Sequence, residues 1–102
     1  TQALTLYNGN FAMRQAGHLA SRLIREAGND AGKQIGLAWR LALTRPPSSG
    51  ERGAALKFLA DQLAELKADP KNAKVAETDL KKKALTQLAR IIFNLNEFVY
   101  VD

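Results

Sequence analysis

Apolar side chains recur every three to four residues through most of this chain, the spacing that lines up one face of an α-helix. At about 100° per residue, Ala12, Ala16, Leu19, Ala20, Leu23, Ile24 and Ala27 share one arc, while Arg14, His18, Ser21, Arg22 and Arg25 share the opposite one. An amphipathic helix with a basic outer face is expected there. Asn10 is placed to cap its start through a side-chain oxygen, and Gly28 to end it in the left-handed conformation. Before it, Gln2 to Tyr7 reads as a short helix stopped by Asn8 and Gly9.

Asn29 or Asp30 is positioned to cap the next helix, Ala31 to Thr44, which is apolar round most of its circumference. Ala31, Ile35, Ala38, Trp39, Ala42 and Leu43 form its main face, Leu37 and Leu41 widen it, and Lys33, Arg40 and Thr44 mark a narrow wet strip. Such a helix belongs at the centre, with Trp39 as the core anchor. Arg45-Pro46-Pro47 ends it, because Pro46 disfavours helical geometry at Arg45 and neither proline has an amide hydrogen to donate.

Ser48 and Glu51 have the spacing of a capping box, opening a helix lined by Ala55, Phe58, Leu59, Leu63 and Leu66, with Asp61 and Glu65 exposed. The pattern lapses from Lys67 to Glu77, predicting a polar, flexible connection. Thr78 or Asp79 then starts a last helix with the stripe Leu80, Ala84, Leu88, Ile91 and Leu95, flanked by Leu85, Ile92 and Phe98. Phe98 to Asp102 is expected to pack as coil, since no strand partner is apparent elsewhere. The fold class expected is all-α: a compact bundle of four main helices behind a short N-terminal helix, one domain over residues 1–102.

Composition sharpens this picture in a few places. A hydrophobic share of 46% with 25% charged residues is that of a folded globular chain. No stretch approaches the roughly 20 apolar residues of a membrane span. With no cysteine there is no disulfide, thiolate zinc site or covalent haem attachment in this segment, and the single histidine, His18, rules out a self-contained histidine metal cluster. The net charge of +5 is unevenly spread, six cations against two acids in residues 1–50 and nine against eight thereafter. The chain begins at Thr1 with neither Met nor a signal sequence, and is expected to be a piece of a larger protein.

Candidate chemistry is sparse. The basic face of Arg14, His18, Arg22 and Arg25 could meet phosphates, but no aromatic residues interleave it and no recognition-helix motif is present, so nucleic acid is a disfavoured partner. The Lys81-Lys82-Lys83 run fans around its helix, and Asp61 with Glu65 is better read as a solvated face than as an acid–base pair. Ser21, Ser48 and Ser49 lack the surroundings of a nucleophile. More distinctive is the C-terminal run in which Asn94, Asn96, Glu97 and Tyr100 alternate with large apolar residues. It is either a polar binding site or, as the stronger expectation, a set of caps and buried partners holding the tail to the bundle. At the proline corner Arg45 is expected to pair with Glu97, or instead with Glu51. Arg45, Glu51, Asn94, Asn96, Glu97 and Tyr100 form the candidate polar cluster, with no catalytic, cofactor-binding or metal-ligating residue assigned.

Three motifs in order, Gln2-Ala3-Leu4-Thr5-Leu6-Tyr7-Asn8, Ala42-Leu43-Thr44-Arg45-Pro46-Pro47 with Glu51, and Asn94 through Asp102, resemble the C-terminal part of the Domain of Unknown Function 1553 family, the planctomycete-specific domain. The resemblance implies an accessory region near the end of a large exported protein, periplasmic or at the cell surface, often with a cytochrome-c-like haem domain upstream; it brings no catalytic residues, and any haem would sit elsewhere in the parent. The leading expectation is a noncatalytic module whose partners are the parent's other domains and a protein or glycan. The competing ones are a nucleic-acid-binding domain and part of an enzyme site completed upstream, in polysaccharide use.

Overall fold

The computed structural model describes residues 9–97, and the side chains of 13–95 among them. The Gln2–Tyr7 helix and the Phe98–Asp102 tail lie outside the described residues. Within them the chain forms four α-helices, α1 (Gly9–Ala27), α2 (Ala31–Leu43), α3 (Ser49–Ala68) and α4 (Glu77–Glu97), with a single 3-10 turn, Pro70–Asn72, between the last two. Among the described residues there is no strand, and none of the helices is long and apolar enough to cross a membrane.

The helix ends follow from local chemistry. Gly28 takes φ +66°, a left-handed conformation open to a residue without a Cβ, and its amide closes α1 on the Ile24 carbonyl at 2.9 Å. Asp30 caps α2 by accepting from the Lys33 amide at 3.1 Å. Ser48 and Glu51 form the reciprocal capping box, the Glu51 amide donating to Ser48 Oγ at 3.1 Å and the Ser48 amide to Glu51 Oε1 at 2.9 Å. Asn10 lies within α1, and its side chain, with the cap expected of it, is outside the described ones.

The end of α2 departs from its usual chemistry. Thr44, not a glycine, adopts φ 59° and ψ 24°, with its amide donating to the Arg40 carbonyl at 3.1 Å. A β-branched residue is strained there. The reason is downstream: Pro46 disfavours helical geometry at Arg45, so the helix ends just ahead of it.

The core contains Ala16, Ala20 and Leu23 of α1, Ile35, Ala38 and Trp39 of α2, Ala55 of α3, and Leu85, Leu88, Ala89 and Ile92 of α4. Trp39 is 4% exposed, as its place on an almost wholly apolar helix predicts. Its Nε1 has no hydrogen-bond partner among the described residues. The most extensive pairing is α1 with α4, and α4 also packs on both α2 and α3. The centre is thus shared between α2 and α4.

The α4 stripe needs one correction. Leu80, Ala84 and Leu88 are buried, but the buried face continues through Leu85, Ala89 and Ile92, whereas Ile91 and Leu95 are 42% and 41% exposed. On a 3.6-residue helix Ile91 returns to within about 20° of Leu80, so the stripe keeps its heading. What changes along α4 is the row that meets the core, which passes from Leu80 and Ala84 to Leu85, Leu88, Ala89 and Ile92. The Lys67–Glu77 connection is also more ordered in its bonding than its polar composition implies. α3 runs on to Ala68, Asp69 Oδ1 accepts from the Lys71 amide at 2.9 Å, Asn72 Nδ2 donates to the Leu66 carbonyl at 2.9 Å, and Lys67 Nζ meets Glu77 Oε1 at 2.8 Å.

Candidate functional site

Of the six polar candidates, the fold brings Arg45 and Glu51 together. The proline corner turns the chain so that α3 starts beside the end of α2. Arg45 Nη1 and Nη2 then donate to Glu51 Oε1 and Oε2 at 2.7 and 2.9 Å, while Nη1 also reaches the Pro46 carbonyl at 3.2 Å. This fork-on-fork geometry fits a guanidinium to a carboxylate in two places at once. Accepting from Arg45, and then from the Ser48 amide, holds the Glu51 carboxyl down to about 2, well below its ordinary range. The same bond pushes the Arg45 guanidinium up.

With both its carboxylate oxygens committed to Arg45 and one of them to the Ser48 amide, Glu51 is a clasp for the corner rather than an acid or base. Asn94 is exposed on α4 and shares no hydrogen bond with Arg45 or Glu51. Asn96 and Glu97 are the last residues of α4, and their side chains, with all of Tyr100, lie outside the described residues. The Arg45–Glu97 pairing falls outside them too.

A concavity that no single stretch of the sequence announces lies on another side of the bundle. Where the end of α1, the start of α2, the middle of α3 and the start of α4 converge, a cleft of about 550 Å³ opens. Ile24, Leu56, Leu59, Leu63 and Leu85 line it with apolar surface, and Thr78, Asp79 and Lys82 stand among its polar lining residues. Alanines at 31, 60 and 84 put little side-chain volume between the converging helices, which is why space remains. Gln34 lines it as well, and its Nε2 donates to the Gly28 carbonyl at 2.5 Å, fixing the turn between α1 and α2. Leu56 is 40% exposed although it is a large apolar residue. The signal in the sequence was a second apolar row on α3, Leu56, Ala60 and Leu63 at helical spacing, beside the row that meets the core.

The basic face of α1 is less free than its composition implies. Arg22 Nε is 2.6 Å from Glu26 Oε2, one turn along the same helix. Asp61 and Glu65 are exposed as expected, and Asp61 pairs with Lys57 at 2.8 Å.

The family model described as PSD1, a protein of unknown function (DUF1553), matches residues 1–59. That span contains the first two of the three motifs, including the whole Arg45–Glu51 corner, and ends before Asn94. Neither the curated proteins nor the solved structures give a match.

Proposed function

This chain belongs to the DUF1553 family of proteins of unknown function, and from that premise we propose that it is a noncatalytic helical module that packs against other domains of a larger parent protein, receiving an apolar segment in the cleft beside Leu56. The observation that carries this reading is the cleft itself. At about 550 Å³ it has the size of a recognition groove, and it places Leu56 in solvent beside Leu59 and Leu63. Exposed apolar surface of this kind, rimmed by polar residues, marks surfaces that partners cover. An amphipathic helix laid in the groove would bury that row in the way helix-in-groove partners do.

The setting implied by the family resemblance, a larger exported protein with a haem domain upstream, belongs to the same proposal and fits a packing role. The alternatives draw less support. Arg22 is already paired with Glu26, which weakens a phosphate-binding face on α1. An enzyme contribution through Asn94 would want that residue in a polar cleft, whereas it is exposed and does not line the cleft beside Leu56.

Hydrogen exchange of this chain alone and within its full-length parent tests the reading. Amides around Leu56 to Leu63 should be more protected in the parent, and Leu56→Glu should remove the difference while leaving the isolated bundle folded. Equal exchange in the two contexts would overturn the proposal.

A further inference from the structure

About 200° round α2 from Gln34, the surface is of a different kind and owes nothing to the apolar cleft. α2 contains no acidic residue, and Lys33 and Arg40 form its outer strip. Gly32 and Gly36, one turn apart, leave bare backbone beside that strip. Arg52 of α3 lies across it: its Nη1 donates to the Gly32 carbonyl at 3.0 Å, and a Cβ added at Gly36 would meet its Nη2 at 3.6 Å. The half-buried guanidinium is thereby held in a fixed place on the floor of an open groove of about 520 Å³, with Leu37, Pro46 and Pro47 as an apolar wall.

Among the described residues five of the fifteen cations have a carboxylate partner; Lys33, Arg40 and Arg52 are among those with none, and all three line this one groove. Asp30 also lines the groove, but its Oδ1 accepts from the Lys33 amide as the α2 cap. Three cations thus face one acid that is already engaged. A half-buried guanidinium that keeps most of its five donors free is matched best by a planar carboxylate bound through two hydrogen bonds.

We propose that this groove binds an acidic, extended peptide segment of a protein partner. One carboxylate sits on Arg52, its neighbours on Lys33 and Arg40, and an intervening apolar side chain rests against Leu37 and the two prolines. The apolar wall favours a peptide over a sulfated or phosphorylated polyanion, which would use the cations and leave the wall uncovered.

The test is a fluorescence-anisotropy titration of the 102-residue chain against a labelled peptide alternating glutamate and leucine, at about 50 mM and about 300 mM salt, where screening differs strongly. Saturable binding that weakens with salt is expected. Arg52→Gln should weaken it by roughly tenfold or more, as loss of a desolvated charge partner does. Gly36→Met, which fills the floor from α2, should act in the same direction with circular dichroism unchanged. Arg25→Gln, on α1, should change binding less than about twofold, as a charge outside a contact does. The proposal is overturned by absence of saturable binding at the lower salt, by equal losses for Arg25→Gln and Arg52→Gln, or by equal binding of a lysine–leucine peptide. It is also overturned if heparin binds through Arg52 and the acidic peptide fails to compete.

Discussion

Replacing Trp39 separates two properties of the core that sit in one side chain. Its indole is 4% exposed, and its N–H finds no acceptor among the described residues. Trp39→Ala removes the whole ring from a close-packed site and should cost about 3–5 kcal/mol, a large share of the roughly 5–15 kcal/mol that holds a domain of this size together. Trp39→Phe keeps one aromatic ring and removes three heavy atoms, one of them the nitrogen. On area alone that loss approaches about 2 kcal/mol, but removing an unpaired buried donor returns part of a desolvation cost of about 1–3 kcal/mol. The net expectation for Trp39→Phe is about 1 kcal/mol, several-fold below the alanine variant.

Urea titration followed by circular dichroism gives both numbers, and the choice of probe matters because Trp39 is the chain's single tryptophan and neither variant retains it. In the wild type its emission should be blue-shifted and should move to the red through the same transition. A Trp39→Ala cost below about 1 kcal/mol would refute the central placement of this ring. A Trp39→Phe cost above about 3 kcal/mol would instead show that the N–H has a partner, and the orphan argument would fall.

Ser48→Ala should cost about 1 kcal/mol by thermal or urea unfolding, the usual loss of an N-cap, and an unchanged midpoint would deny the capping box any role. Because the Glu51 carboxyl is held down to about 2 from an ordinary 4.5, its contribution is fully present above pH 4.5 and is lost as pH falls toward 2. Urea midpoints should therefore drop over that window in the wild type and drop less in Glu51→Gln; parallel pH profiles for the two would contradict the clasp. Ile92→Ala, at a position 0% exposed, should cost about 2–5 kcal/mol, while Ile91→Ser, one residue earlier, should stay within about 0.5 kcal/mol; a reversed order would restore the Ile91 stripe.

Much of the architecture could be read directly from the chain because helices are specified locally. The apolar arc of α1, the Gly28 stop, the Asp30 cap and the Ser48–Glu51 box each depend on residues within a turn or two of one another, and each is present in the folded molecule. Trp39 could be assigned to the core for a related reason: a helix apolar on nearly every side has no face to give to water. Where two apolar rows run side by side, local spacing does not choose between them, as at Ile91 and Leu95, which share the Leu80 stripe yet stand exposed.

The site was far less legible. The Arg45–Glu51 pair joins residues only six apart, so the corner that makes it was already written in Pro46 and Pro47. Neither groove was. The apolar cleft needs Ile24, Leu56 and Leu85 from three helices, and the cationic one needs Arg52 to cross onto the backbone of Gly32.

By itself the sequence determined the helices, most of their ends and the residue at their centre, since hydrogen bonds and caps close within a few positions. Only the tertiary structure decided which of two adjacent rows on α4 faces inward, which leucines of α3 stay in water, and which cations are left without a carboxylate. Those outcomes depend on the angle and distance at which separate helices dock, a balance of side-chain volumes summed over the whole bundle that no single stretch of chain encodes.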